Sequence, residues 1–373
     1  MTGKVTLDSL QIREWTQEEW EARESQWTAL LARSGLDLLF LSWEWMMLWW
    51  RFFGRAPTQE LCVLGAYRGE ELVGIAPLYR VRAGRKLLPV RSLQFIGISW
   101  RDSNALISEY LDFISAPGDR DPVRAAFLRH LLSHGAWSEL IVSYTRNPCA
   151  WAEAFGKSLG NGAFHTRTIE RCVSYQADLS AGFQPYLSRL GQSTRRSLWH
   201  LRRRLGNHGT IRVERVAQDQ VIAAFEDLNR LHMLRWGTRA FGGDRLRFHE
   251  SLAEKLAQRG ELDLTRLWIG DRVVSVLYDV RKGSRQYNIK MGFDPTIERS
   301  FSLGLIHFGF AMEAASAQGV ATYDFLAGRG LKTDYKSHLG QLRDELATVQ
   351  MLKGPLLPRL YRWYDGRRQK TAS

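Results

Sequence analysis

The run Leu264-Thr-Arg-Leu-Trp-Ile-Gly-Asp-Arg-Val-Val-Ser-Val-Leu-Tyr-Asp-Val280 decides how the rest of the chain is read. Apolar residues rich in β-branched and aromatic types flank the turn Gly270-Asp-Arg272, the pattern of a β-hairpin. A third strand is expected over Arg285–Met291, a helix from about Leu303 to Gln318, and a strand Thr322-Tyr-Asp-Phe-Leu326 that ends at Ala327-Gly328. The same series stands upstream. Leu61–Tyr67 and Leu72–Tyr79 flank the turn Arg68-Gly-Glu-Glu71, and Ser92–Ile98, a helix Pro122–Ser133 and Glu139–Tyr144 follow. Arg68-Gly-Glu-Glu-Leu-Val-Gly lies over Ile269-Gly-Asp-Arg-Val-Val-Ser. Hairpin, strand, helix, strand, given twice, implies an internal duplication.

Outside the two series, Trp15–Ser34 has helical spacing, and Ser42 is placed to cap a helix Trp43–Phe53 that Gly54 and Pro57 stop. Between the halves, Gln192-Ser-Thr-Arg-Arg-Ser-Leu-Trp-His-Leu-Arg-Arg-Arg-Leu-Gly206 reads as a basic helix. Helices over about Gln220–Trp236 and Phe248–Gln258 come next. The expected organisation is an N-terminal unit over 1–165, a C-terminal unit over 166–353 and a loosely packed basic tail over 354–373.

Composition bounds the function. The chain has 373 residues, 45% of them hydrophobic and 24% charged, which is globular rather than disordered. Lys+Arg 52 against Asp+Glu 39 leaves +13, a balance that favours polyanionic partners: nucleic acid, anionic lipid or phosphorylated small molecules. Cys62, Cys149 and Cys172 are too few and too scattered for a disulfide framework or a zinc site, so no metal is expected. Met1–Glu24 is polar, and the most apolar stretch, Leu36–Phe53, is interrupted by Asp37, Glu44 and Arg51. A spanning helix needs about 20 consecutive apolar residues. A cytoplasmic protein is expected, with attachment to the inner membrane surface left open.

The halves differ between strand and helix. In the second half that connection contains Arg299-Ser-Phe-Ser-Leu-Gly304, which approximates the R/Q-x-x-G-x-G/A loop of GCN5-related N-acetyltransferases, with Ser302 where glycine is preferred. A pyrophosphate needs unpaired main-chain N–H groups at a helix N-terminus and small residues that let it approach. Trp100–Asp121, the equivalent connection in the first half, lacks this pattern. An acyl-CoA site is therefore expected in the second half alone.

The chain resembles the CelD/BcsL-like, cellulose-biosynthesis-type branch of the acetyltransferase superfamily, related to the FemAB-type transferases. The resemblance rests on Phe40–Gly54, Leu72–Leu78, the arginine-rich helix, Leu231-His-Met-Leu-Arg-Trp236, Tyr287–Pro295, and Tyr323-Asp-Phe-Leu-Ala-Gly328 followed by Tyr335-Lys336. It implies a tandem pair of α/β GNAT folds, mixed sheets flanked by helices, whose second copy keeps the donor site. The donor implied is acetyl-CoA or another acyl-CoA, and the acceptor is an amine of a small molecule or saccharide. Lys290, Met291, Gly292 and Phe293 then offer the polarising backbone, and Arg299, Ser302, Leu303 and Gly304 the phosphate loop.

Direct acyl transfer needs a deprotonated amine, a polarised carbonyl and a proton for the leaving thiolate. Asp324, at the end of the last strand, is a candidate base or amine-orienting carboxylate, and equally a cap for the turn behind it. Tyr335 is a candidate acid toward the thiolate, with a core tyrosine as the alternative. His232 has a pKa suited to proton transfer but a helical setting. Arg235, Trp236, Tyr287 and Lys336 are the expected acceptor-side residues. Arg195, Arg202 and Arg203 fall on one helical face, suited to an anionic membrane surface or another polyanion. An aminoacyl-tRNA-dependent transferase and a non-catalytic accessory of polysaccharide synthesis remain the alternatives.

Overall fold

A computed structural model describes residues 10–85, 88–100, 106–159, 164–297, 302–327 and 334–372. The chain forms two compact units: Met1–Cys172 with Glu345–Ser373, and Val173–Asp344. The chain after Asp344 thus belongs to the first unit.

In the first unit the hairpin Gln59–Arg68 and Glu71–Arg85 pairs antiparallel, with Leu61 opposite Tyr79. Gln11–Trp15 adds antiparallel on one side and Leu88–Phe95 on the other. Glu139–Thr145 then pairs parallel to Leu88–Phe95, and Ala347–Leu352 pairs antiparallel to Glu139–Thr145. Ser42 caps Trp43–Phe53 as expected, its Oγ accepting from Trp45 N at 3.3 Å. That helix buries Trp45, Met46, Trp49 and Trp50, and the helix Arg120–His134 buries Val123, Phe127 and Leu131.

In the second unit the strand order is Phe164–Asp178 (its residues from Val173), Thr322–Asp324, Arg285–Phe293, Arg272–Lys282, Leu262–Ile269 and Ile211–Arg215. All these pairs are antiparallel except Arg285–Phe293 with Thr322–Asp324. The helix Leu303–Ala317 joins that parallel pair, as Arg120–His134 joins the parallel pair of the first unit. Each unit therefore has hairpin, strand, helix, parallel strand. The duplication read from the sequence is present in the pairing itself.

Two expectations need correction. The basic helix is present but not α-helical throughout: Gln192–Arg195 is α-helical, Arg196–His200 is a π-helix, and Leu201–Leu205 is α-helical again. The π turn coincides with close packing, because a Cβ on Gly309 would overlap Leu198 O. Arg202 is not on a solvated face either. Its guanidinium lies 3.8 Å from the ring centroids of both Trp199 and Phe310 and 2.8 Å from Glu313. Second, the segment expected to be a loose tail contains the helix Leu357–Ala372, whose Asp365 pairs with Arg167 at 2.7 Å and with His165 at 2.9 Å.

Candidate active site

The site begins where two strands separate. Arg285, Gln286 and Tyr287 pair with Thr322, Tyr323 and Asp324. From there Arg285–Phe293 runs on to Phe293, whereas Phe325 N donates to Tyr175 O at 3.0 Å and holds the other strand to its neighbour on the far side. The separation coincides with a β-bulge. Tyr278 faces Lys290 and Asp279 faces Asn288, which leaves Ile289 as the extra residue. A bulged, one-sided strand offers main-chain N–H groups to the gap rather than to a ladder.

Beside this gap starts the helix Leu303–Ala317. Ser302 occupies its N-cap, its side chain bonds none of the first N–H groups, and the first turn has no acidic residue. Such a terminus retains unpaired donors and partial positive charge. Gly304 is small for a reason visible in the packing: a Cβ there would lie 2.7 Å from Met291 Cε and 3.0 Å from Phe293 Cε1. The glycine brings the helix start against the strand, as a donor site at that junction requires. Arg299, expected in the same loop, lies outside the described residues, and so does Gly328.

Met291 and Gly292 point to opposite faces of the strand. On the Gly292 face lies the helix Val221–Trp236, so close that a Cβ on Gly292 would meet Leu228 O at 2.9 Å. Gly292 thus serves helix packing. That helix supplies His232, Arg235 and Trp236. The Arg235 guanidinium sits 3.8 Å from the Phe293 ring centroid and 4.3 Å from that of Trp236, and the rings of Trp236 and His232 are 4.4 Å apart.

His232 Nδ1 lies 2.7 Å from Thr238 O, in the loop that Gly237 opens with φ +69°. Burial lowers the His232 pKa; the Thr238 bond opposes this, and the charges of Lys290 and Arg235 reinforce it. Lys290 is held below the ordinary lysine value by burial and then by Arg245. Tyr335 is raised by burial and drawn back by Arg235, so its phenol remains protonated at neutral pH. It stacks on Phe308 at 6.5 Å. Of the expected site residues, His232, Arg235, Trp236, Lys290, Phe293 and Tyr335 therefore form one electrostatically linked group, with Met291, Leu303 and Gly304 packed behind it.

Three candidates are placed differently. Asp324 has no exposure; its carboxylate accepts from Ser174 Oγ at 3.0 Å and Leu326 N at 2.8 Å, and it pairs with Arg285 at 3.0 Å. It caps the turn in which Leu326 takes φ +55°, a conformation rare for a branched side chain. Lys336 fastens the same turn, its Nζ donating to Leu326 O at 2.7 Å and Ala327 O at 3.3 Å. Tyr287 is buried. These bonds match the turn-capping alternative for Asp324.

The sequence reading passed over Asp279. It is fully buried and accepts from Asn288 Nδ2 at 2.7 Å, from Gln286 Nε2 at 2.9 Å and from the Tyr323 hydroxyl. Gln286 and Tyr323 face each other on the parallel pair and Asn288 lies one residue past its last rung, so this carboxylate ties the two strands together where they part. Its pKa is raised to about 7 by burial, against the three hydrogen bonds. The available signal was an acid inside the apolar run Val273–Val280. His307 and His249 are buried, each with its pKa lowered to about 3 chiefly by desolvation. Among the described residues no group of three His, Cys, Asp or Glu side chains is arranged to hold a metal ion, and no helix is long and apolar enough to cross a membrane.

Residues 192–337, all within the second unit, match the family described as Acetyltransferase (GNAT) domain. Among solved structures, FemX shares 12% identity at a TM-score of 0.59 over 90% of this chain and 96% of its own. L-PGS from Bacillus licheniformis shares 12% at a TM-score of 0.53, over 93% of this chain and 95% of its own. A protein of unknown function from Bacteroides thetaiotaomicron shares 10% at a TM-score of 0.55, over 92% and 100%. These likenesses establish a common fold that extends over both units. No curated protein sequence matches the chain. The match falls in the second unit of a mixed α/β chain of two like units, and it makes the protein a transferase enzyme.

Proposed function

We propose that the protein is an acyl-CoA-dependent N-acyltransferase that moves an acyl group directly to an amine. The observation that carries this reading is the gap that opens beyond Tyr287 and Asp324, with the bulge at Ile289 on one side and the uncapped helix start at Ser302 close by. Main-chain N–H groups of the bulged segment are suited to a developing oxyanion, where one preorganised donor is worth about 3 kcal/mol. The N-terminal N–H groups of Leu303–Ala317 suit a pyrophosphate. A coenzyme A thioester combines a carbonyl with that diphosphate.

His232 is the base this reading selects. With Nδ1–H donated to Thr238 O, the neutral ring keeps its lone pair on Nε2, free to take a proton from the attacking amine. Tyr335 is protonated and suited to return a proton to the departing thiolate. Lys290, Arg235 and Arg245 make the surroundings cationic, which favours an acceptor that bears phosphate or carboxylate. An amino sugar that bears phosphate or carboxylate, or another anionic envelope or exopolysaccharide precursor, fits that chemistry and the CelD/BcsL-type motifs. Cytoplasmic location belongs to the same reading.

A second donor is favoured by one observation: Arg196, Arg203 and Arg204 are exposed, as a tRNA backbone would require. Calorimetry separates the two. Saturable binding of acetyl-CoA, competed by coenzyme A, is expected. Indifference to both at millimolar concentration, together with retention of charged tRNA on a filter, would favour the aminoacyl-tRNA reading.

A further inference from the structure

The helix Leu357–Ala372 of the first unit has two unlike faces. One is anchored: Asp365 pairs with His165 and Arg167, Arg362 donates to Phe164 O at 2.9 Å, and Arg167 lies 5.0 Å and 5.8 Å from the ring centroids of Tyr361 and Tyr364. On the opposite side Leu356, just ahead of the helix with its carbonyl accepting from Leu360 N, is 69% exposed, Leu360 46% and Trp363 55%. Positions 356, 360, 363 and 367 follow helical spacing, so these side chains form one ridge with Arg367. The Arg367 guanidinium rests 4.0 Å from the Trp363 ring centroid, and exposed Arg359 flanks the ridge.

We infer that this ridge binds the surface of an anionic lipid bilayer, the helix lying in the interface plane. Charge and apolarity have to be explained together. Asp365 is the sole acid of residues 354–373, and it is turned inward against His165 and Arg167. The outward face therefore carries only cations. A nucleic-acid backbone would satisfy Arg359 and Arg367 but would leave two leucines and a tryptophan in water. A second copy of the chain would need roughly 800 Å² from each partner for a stable dimer, more than one helical ridge supplies. The boundary of an anionic membrane takes both kinds of group: phosphates meet the guanidiniums, the indole sits at headgroup depth, and the leucines enter the acyl edge. The net charge of +13 adds attraction at longer range.

The test is sedimentation of the full-length protein with vesicles of phosphatidylcholine alone or mixed with phosphatidylglycerol. Binding to the mixed vesicles and little to the neutral ones is expected. Arg359→Gln and Arg367→Gln should each weaken it about fivefold. Leu360→Ser and Trp363→Ala should each weaken it about tenfold. The substituted groups are exposed, so the thermal transition should not move, which separates lost contact from lost fold. Equal sedimentation with both vesicle types, or unchanged binding in the Leu360 and Trp363 variants, would overturn the inference. So would a dimer in vesicle-free sedimentation equilibrium that these same two substitutions dissociate.

Discussion

His232 Nδ1 and the carbonyl oxygen of Thr238 stand 2.7 Å apart, and a carbonyl can only accept. The neutral imidazole is thereby fixed with its lone pair on Nε2. Thr238 lies in the loop beginning at Gly237, so that loop sets the tautomer of the proposed base.

If His232 removes the proton from the amine, it must be unprotonated to work. Its pKa is lowered from 6.5, first by burial. The limb of kcat/KM due to this group should therefore fall as the pH drops through a midpoint below 6.5. His232→Gln should lower kcat by about 10²–10⁴-fold and abolish that limb. A pH–rate profile of the two proteins checks this. A limb that persists in the variant would assign it to another group.

Asp324 should behave as a structural acid. Asp324→Ala removes the buried end of the Arg285 ion pair and the acceptor of Leu326 N, at a cost of about 3 kcal/mol by urea unfolding. Asp324→Asn keeps an acceptor for Ser174 and Leu326, and should retain most of the turnover per folded molecule. A large loss of turnover in a fully stable Asp324→Asn protein would restore the catalytic assignment.

Asp279 links stability to pH. Its pKa is raised from 3.8 to about 7 in the folded chain, so between those values the folded state binds the proton and the unfolded state does not. The contribution is therefore full below 3.8 and is lost as the pH rises through about 7. Asp279→Asn cannot titrate. Thermal melts from pH 4 to pH 7 should show the unsubstituted protein losing ground to this variant, and parallel curves would contradict the buried, tethering role. Asp279→Ala removes the acceptor of the buried Tyr323 hydroxyl and should cost about 1–3 kcal/mol for that group.

The repeated series was legible because the hairpins carry strong local signals. Apolar runs flank short polar turns at Arg68-Gly-Glu-Glu71 and Gly270-Asp-Arg272, and no tertiary context is needed to read them. Phe164–Asp178 was missed because His165-Thr-Arg-Thr-Ile-Glu-Arg171 has neither an apolar run nor a clean alternation; its first residues are only half buried. The basic helix was seen, but not its π turn, which depends on Gly309 more than a hundred residues away in sequence.

At the site, spacing indicated the strand–loop–helix junction, and adjacency in sequence grouped His232, Arg235 and Trp236. Spacing could not tell a carboxylate in a gap from one under a turn. That choice depends on Ser174 and Arg285, which only the fold brings to Asp324. The Leu326 and Ala327 carbonyls that hold Lys336 are likewise brought to it by the fold, not by spacing.

The central claim is that the separation of Arg285–Phe293 from Thr322–Asp324 is a thioester site. A crystal structure with acetyl-CoA tests it most directly. The account predicts the thioester carbonyl oxygen within hydrogen-bond distance of a main-chain N–H between Asn288 and Phe293, with the diphosphate on the first N–H groups of Leu303–Ala317. A ligand bound elsewhere, or the two strands paired through Phe293 with no gap between them, would contradict it.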